Sequence, residues 1–163
     1  MTDAERHNRN NLRLLQCWPS FARKVKAVLA DLEGHGLRPR IQCAWRSPAA
    51  QLKAYQAGNS KLKFGFHNVT SRAGKPEALA VDILDNDHPL EPPTRFLLML
   101  AASSQAHELQ SGIRWGLSTA GRKRIDQALA EKRWDAKVAV GWDPCHVEVT
   151  GLTVTRAKAG ARP

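Results

Sequence analysis

An aspartate lies inside an apolar run near the middle of the chain. Asp82 follows Ala80 and Val81 and precedes Ile83 and Leu84. A short, uninterrupted apolar run of this kind predicts a buried strand. An ionised carboxylate in such a strand is costly unless it is paired or bound to a metal ion. The fold therefore has to bring a cation, or partners that act as one, to this position.

Two other parts of the sequence supply partners for Asp82. His67 lies upstream in a polar segment rich in turn residues, and the stretch GWDPCHVEV at residues 141–149 contains Asp143 and His146. Zinc hydrolases commonly use three protein ligands and leave a fourth position for water. A nearby carboxylate then takes a proton from that water and returns it to the leaving amine. His67, Asp82 and His146 are the candidate ligands, and Asp143 is the candidate base.

The residue types alone leave other interpretations open. The chain has six histidines, and a single histidine is most often a surface or hydrogen-bonded residue. His88 follows Asp85 and Asp87, but turns rich in Asp and Asn are usually only turns. Glu148 would share a strand face with His146, so it is a second candidate for the base or a residue that orients a ligand. No HExxH motif is present to decide among these alternatives.

Length and composition predict one globular domain. The 163 residues, 42% of them hydrophobic, suit a single core. We predict one domain over residues 1–163, with a core from about residue 12 to about residue 150 and a basic, frayed tail at residues 156–163. The three cysteines are an odd number in a chain without a secretory signal, which argues against a disulfide framework. They include no CxxC pair, which argues against a structural zinc knuckle.

Charge and hydropathy restrict the partners and the compartment. The formal net charge of +10, from 25 Lys and Arg against 15 Asp and Glu, favours polyanions such as nucleic acid, anionic lipid or an anionic cell wall. No apolar run is long enough to span a bilayer. The N-terminal residues lack the apolar core of a signal peptide, so we expect cytoplasmic synthesis.

The pattern of elements predicts the α+β class. Helical periodicity or helix-start signals alternate irregularly with strand patterns, without the regular order of βαβ units. We therefore expect a small antiparallel sheet flanked by helices. The predicted helices are residues 20–33, 48–57, 94–109 and 121–134, and the predicted strands are residues 40–45, 78–84 and 145–150.

Four short motifs occur in a characteristic order. They are Trp45-Arg46-Ser47 with Gln51, His67-Asn68, the run ALAVDI at residues 78–83, and the run WDPCHVE at residues 142–148. In this order they resemble the peptidoglycan-cleaving metallopeptidases, a family that includes D-alanyl-D-alanine carboxypeptidases and dipeptidases and phage L-alanyl-D-glutamate endolysins. That family shares its fold with the hedgehog signalling domain, so the resemblance implies a hedgehog/DD-peptidase-like fold.

The resemblance also implies a role for each matching residue. The cofactor would be zinc, and its three ligands would be His67, Asp82 and His146. Asp143 matches the catalytic acid and base of the family. Arg46 matches the arginine that binds substrate and stabilises the oxyanion, which suits a fixed cation where negative charge develops. Gln51 matches a glutamine on the following helix that supports substrate binding, and we expect Glu148 to orient a ligand.

The sequence departs from the family pattern in two places. The pattern reads Ser-x-His-x-x-Gly-x-Ala-x-Asp, and Gly65 stands where it has serine. From His67 to Asp82 the chain advances 15 positions, about twice the spacing in the pattern. We interpret the segment from Asn68 to Glu77 as an insertion that loops out, because closure costs grow slowly with loop length. We expect it at the lip of the substrate groove.

These observations lead to one function and two alternatives. We expect a zinc-dependent peptidase that hydrolyses peptidoglycan stem peptides, of the phage endolysin type that cleaves L-alanyl-D-glutamate bonds, because the chain is short, basic and without an export signal. It would act on the cell wall after release, as a monomer, and its charge would favour the anionic envelope. The alternatives are a D-alanyl-D-alanine carboxypeptidase or dipeptidase, and a non-catalytic basic module that binds cell wall or nucleic acid. Nucleic acid is not the expected partner, because no nucleic-acid-binding motif is present.

Overall fold

The chain folds into helices around one small sheet. The computed structural model describes residues 1–58 and 60–163; Asn59, which follows the predicted helix at residues 48–57, lies outside the described residues. The elements in chain order are α1 (Asp3–Leu14), α2 (Pro19–Gly34), β1 (Pro39–Cys43), α3 (Pro48–Gln56), a 3₁₀ turn (Phe66–Asn68), β2 (Ala80–Asp85), α4 (Thr94–Ala106), β3 (Leu109–Gly112), α5 (Thr119–Ala130), β4 (Asp143–Val149) and α6 (Val154–Lys158). The predicted α+β class with a small antiparallel sheet is confirmed.

The sheet has the order β1-β2-β4-β3, and every neighbouring pair is antiparallel. In the register of β2 and β4, Asp82 pairs with His146 and Val81 pairs with Val147. Successive side chains of a strand point to opposite faces. One face of the sheet therefore presents Asp82 and His146, and the other presents valines to the core.

The apolar face of the sheet is covered by α2 and α4. Every residue of α4 from 96 to 101 is buried, as expected of a helix that is apolar on all sides. Helix α2 contributes Phe21, Val25, Val28 and Leu32 at helical spacing, and all four are fully buried or nearly so. Within residues 1–58 and 60–163, no helix combines the length and the apolar composition needed to cross a membrane.

Helix α1 lies mostly before the predicted core range, which starts at about residue 12. Helix α1 begins at Asp3, where the Thr2 hydroxyl accepts a hydrogen bond from the Glu5 amide and the Glu5 carboxylate accepts one from the Thr2 amide. This reciprocal capping box satisfies two backbone donors at the helix start. Residues 3–14 therefore form a capped helix, which the sequence analysis does not predict.

Polar side chains of α1 cover the free edge of β1. The Asn10 amide group donates to the Pro39 carbonyl at 3.1 Å, and its oxygen accepts from the Ile41 N–H at 2.7 Å. Arg6 also donates to the Pro39 carbonyl, and Arg9 donates to the Ile41 carbonyl. An edge strand with unpaired backbone groups invites association with other chains. Here α1 satisfies those groups and closes the edge.

The tail at residues 156–163, which we predict to be frayed, contacts the rest of the domain. Helix α6 extends to Lys158. The Arg162 guanidinium then donates two hydrogen bonds to the Glu77 carboxylate, at 2.9 and 2.6 Å, and one to the Thr70 carbonyl at 2.6 Å. Charge-assisted bonds of this kind are strong and geometrically specific. The C-terminus is thereby fixed to the segment that precedes β2.

Candidate metal centre

Three side chains from distant parts of the sequence meet on the polar face of the sheet. His67 Nε2 lies 3.3 Å from His146 Nδ1 and 3.3 Å from Asp82 Oδ1, and His146 Nδ1 lies 3.2 Å from Asp82 Oδ1. Both histidines are buried. Asp82 and His146 come from paired strands, whereas His67 comes from the 3₁₀ turn. The structure therefore brings together all three predicted ligands.

Backbone hydrogen bonds hold the 3₁₀ turn against the sheet. The Arg46 N–H donates to the His67 carbonyl at 2.9 Å, and the Leu79 N–H donates to the Phe66 carbonyl at 3.0 Å. The Asn68 side chain donates to the Arg46 carbonyl at 2.7 Å. The turn is thus tied to the chain on both sides of it, after β1 and before β2, and this fixes the position of His67.

The donor set fits a zinc ion. Ligand atoms placed tetrahedrally at about 2.0 Å from zinc lie about 3.3 Å from one another, which matches the three distances above. His67 Nδ1 bonds the Ala44 carbonyl at 2.5 Å, and His146 Nε2 bonds the Glu148 carboxylate at 2.9 Å. These acceptors hold the N–H of each neutral ring. The lone pairs of His67 Nε2 and His146 Nδ1 are then available next to Asp82 Oδ1. One cation can bind all three atoms.

Strong pairing inside the cluster shifts the pKa of each member. Burial acts to lower the pKa of His67, but Asp82 and Cys43 together raise that pKa to about 10. Burial likewise acts to lower the pKa of His146, while Asp82 and Glu148 raise it to about 9. Burial acts to raise the pKa of Asp82, and the two histidines hold it well below its usual range. A metal ion at this position therefore competes with protons.

The cluster opens into a cavity of about 270 Å³. Asp143, Arg46 and Glu148 line this cavity, together with Lys61 and two tryptophans. A larger cavity of about 590 Å³ lies beside α2 and α4 and has mostly apolar walls. It contains none of the predicted ligands, so we assign the candidate site to the smaller cavity, where the ionisable groups converge.

Asp143 begins β4 and lies next to Asp82 and His146, close enough that these three could also hold a metal ion. Its Oδ2 is 3.9 Å from His146 Nδ1. Burial and the neighbouring charge of Asp82 raise the pKa of Asp143 above its ordinary value. A carboxylate with a raised pKa is better matched to accepting and returning a proton near neutral pH.

Arg46 borders the cluster, and Gln51 holds it there. Arg46 Nη1 donates to Gln51 Oε1 at 3.1 Å, and its Nη2 is 3.8 Å from Asp82 Oδ2. The Gln51 amide group donates to the Leu62 carbonyl at 2.6 Å and to the Ser60 hydroxyl at 2.8 Å. Gln51 is only 4% exposed. Its polar atoms are therefore engaged inside the protein, and we interpret it as a residue that positions Arg46 rather than one that contacts substrate.

Glu148 lies between His146 and a residue that the motifs do not indicate. Its Oε2 accepts from His146, and its Oε1 accepts from the Gln110 amide at 2.6 Å. Gln110 pairs with Glu148 across β3 and β4. The register of β3 and β4 brings Gln110 to this position, and no local pattern in the sequence indicates that register. With both oxygens engaged, Glu148 is placed to orient His146.

Cys43 is a second neighbour of the cluster that the sequence did not indicate. A β-bulge between Ile41 and Cys43 brings Cys43 opposite Asp82. A bulge re-aims the side chain that follows it, and the Arg46 guanidinium donates to the Cys43 sulfur at 3.7 Å. Burial acts to raise the pKa of Cys43, but the hydrogen bond and the charge of His67, together with the charge of Arg46, lower that pKa below its ordinary value. Cys145, in contrast, is part of the buried apolar cluster.

Two other predictions about this region have different outcomes. The His88 cluster is a turn, in which the Asp85 carboxylate accepts from the Asp87 amide and lies 3.1 Å from His88 Nδ1. The segment from Asn68 to Glu77 does loop out before β2. Among the described residues, however, those that line the cavity include none from 68 to 77. The segment packs under the C-terminal tail through Arg162, so its expected place at the groove lip is wrong.

The fold resembles that of a solved peptidase structure. The crystal structure of the L-Ala D-Glu endopeptidase ChiX from Serratia marcescens aligns with a TM-score of 0.54 and 16% sequence identity, over 87% of this chain and 86% of that chain. At this identity the likeness establishes a shared fold. No protein-family model matches the sequence, and no curated protein matches it significantly.

Proposed function

We propose that this chain is a zinc-dependent peptidase that hydrolyses peptide bonds in peptidoglycan stem peptides. The main support is the geometry of the three donor atoms of His67, Asp82 and His146, which lie 3.2 to 3.3 Å apart in one cavity. A carboxylate and a guanidinium border that cavity. The shared fold with an L-Ala D-Glu endopeptidase supports the same activity.

The proposed cofactor is zinc, held by His67, Asp82 and His146. Zinc supplies Lewis-acid chemistry, because it polarises a carbonyl oxygen and makes water nucleophilic near neutral pH. The Ala44 carbonyl and Glu148 keep the ligand nitrogens of the two histidines turned toward the cluster. Loss of such a partner typically lowers metal affinity or activity about 10- to 100-fold.

Asp143 and Arg46 perform the remaining steps in this proposal. Asp143 takes a proton from the attacking water and returns it to the amine that leaves, a transfer favoured by its raised pKa. Arg46 is a fixed cation next to the cluster, where it stabilises the negative charge that develops on the carbonyl oxygen. Gln51 contributes by holding the Arg46 guanidinium in one orientation.

The proposed bond is the one between L-alanine and D-glutamate. This choice follows the activity of the structural neighbour. The net charge of +10 supports action at an anionic cell envelope. Release of a terminal D-alanine instead would identify the carboxypeptidase alternative, with the same metal centre and a different substrate pose.

Metal content and wall lysis together test the proposal. We expect purified protein to bind one zinc ion, His67→Ala to lose it, and Asp143→Ala to keep it. Both variants should fail to lyse purified cell walls, while His88→Ala, which removes a histidine outside the cluster, should lyse them as wild type does. A wild-type protein that binds no zinc, together with normal lysis by both site variants, would refute the proposal.

A further inference from the structure

Lys61 lies at the rim of the same cavity. Its Nζ is 4.3 Å from the ring centroid of Trp142, and both residues line the cavity. Trp142 is 53% exposed, and its ring is 5.2 Å from that of Trp115. An ammonium group over an aromatic face is attracted by the electrons of the ring. The Lys61 ammonium group is therefore held at the cavity wall instead of moving freely in solvent.

The segment that contains Lys61 is anchored by the same glutamine that holds Arg46. Gln51 Nε2 donates to the Leu62 carbonyl and to the Ser60 hydroxyl, which flank Lys61 on both sides. Gln51 Oε1 accepts from Arg46. The buried side-chain amide of Gln51 thus holds both the backbone segment that carries Lys61 and the guanidinium of Arg46.

Lys61 takes no part in the salt bridges of this cavity. Among the described residues, those salt bridges join Asp82 to Arg46, His67 and His146, and His146 to Asp143 and Glu148. Asp82 lies within reach of two histidines and Arg46. Both oxygens of Glu148 are engaged by His146 and Gln110. Asp82 and Glu148 are therefore committed to other partners, and Asp143, which also lines the cavity, forms no salt bridge with Lys61 among the described residues. An anionic group that enters the cavity therefore meets an ammonium that none of these carboxylates pairs with.

We propose that Lys61, held against Trp142, binds a carboxylate of the substrate. The cleft then selects peptides with a free carboxylate close to the bond that is cleaved, over the same peptides with that group amidated. Arg46 acts at the reacting carbonyl, whereas Lys61 acts on a group farther from the metal centre. This inference rests on the proposed peptidase function and adds to it a residue that determines specificity.

Two synthetic peptides and two variants test this inference. The peptides contain an L-Ala-D-Glu bond and differ only in whether the glutamate α-carboxylate is free or amidated. Lys61→Met keeps the length of the side chain and removes its charge. Lys63→Met is the matched control, because Lys63 lies two residues away with its Nζ 5.3 Å from the ring of Tyr55, which does not line the cavity.

We expect wild type to cleave the free-carboxylate peptide with a kcat/KM about tenfold or more above that of the amide, since bonds between charged groups are the strong ones. Lys61→Met should lose this preference through a higher KM, Lys63→Met should keep it, and Lys61→Arg should restore most of it. The inference is overturned if Lys61→Met retains the preference, or if Lys63→Met loses it to the same extent.

Binding measurements separate this inference from the proposed function. Calorimetric titration of both peptides into zinc-loaded Asp143→Ala, with and without Lys61→Met, reports carboxylate recognition without turnover. Selective binding that depends on Lys61, without any cleavage by wild type, would refute the peptidase and support the subsite. Equal cleavage and equal binding of the two peptides would support the peptidase and refute the subsite.

Discussion

Each histidine of the cluster is oriented by a hydrogen bond at its far nitrogen. For His146 the partner is Glu148, which Gln110 fixes in turn. We predict that Glu148→Ala lowers zinc affinity about 10- to 100-fold, the usual cost of losing such a partner. Competition with a chromogenic chelator measures this. Glu131→Ala, at an exposed glutamate of α5's C-terminal end, should leave the affinity unchanged, and an equal effect of both variants would count against the orienting role.

The raised pKa values of the two histidines predict how metal-free protein responds to pH. In that form His67 and His146 have pKa values of about 10 and about 9, against an ordinary value of 6.5. The folded state then binds these protons more tightly than the unfolded state does. Their stabilisation is complete below pH 6.5 and is lost as the pH rises toward 9 to 10.

Calorimetry with and without chelator checks this pH dependence. The melting temperature of metal-free protein should fall across that range, and the fall should be smaller in metal-free His67→Ala. Zinc-saturated protein should also show a smaller fall, because zinc takes the place of the protons. A melting temperature of metal-free wild type that stays constant from pH 6.5 to 10 would contradict the pairing described here.

The strand pairing explains which site residues the sequence could indicate. Asp82 and His146 stand out because each is a polar residue in a strand pattern, and their motifs occur in a familiar order. Gln110 and Cys43 join the site through the register of β3 and through a bulge in β1. Register and bulges depend on contacts between strands, so local patterns do not reveal them.

Helix α1 shows why an element can be missed when its buried side chains are polar. Its buried residues are Arg6 and Asn10, so the sequence of this helix has no apolar periodicity that would indicate a helix. The capping box formed by Thr2 and Glu5 was the readable signal. The contact of the C-terminal tail is of a related kind, since it is a charged pair between Arg162 and Glu77 that no local pattern indicates.

The contact between α1 and the edge of β1 predicts a stability difference between two asparagines of one helix. Asn10 is 4% exposed and makes two backbone hydrogen bonds to β1, whereas Asn8 is exposed. Asn10→Ala should lower the free energy of unfolding by about 1–3 kcal/mol, because it leaves the buried Ile41 N–H without its partner. Asn8→Ala, with the same change in helix propensity, should have little effect. Urea denaturation of both variants measures the difference, and equal stabilities would show that α1 does not close the edge.

At the scale of the whole molecule, the net charge predicts salt-dependent binding to anionic walls. With a charge of +10, attraction to a polyanion is screened as ionic strength rises. Co-sedimentation of Asp143→Ala with purified walls should show binding that falls steeply between low and high salt. Walls stripped of their anionic polymers should retain much less protein at low salt. Binding that is insensitive to both changes would mean that the excess of Lys and Arg has another role.

The central claim is that the cluster of His67, Asp82 and His146 is the centre of a peptidase. Mass spectrometry of purified muropeptides, incubated with zinc-loaded protein, tests it most directly. We predict products cut between L-alanine and D-glutamate with wild type, and intact stem peptides with Asp143→Ala that retains its zinc. Intact stem peptides after incubation with zinc-loaded wild type, or identical products from both proteins, would contradict the claim.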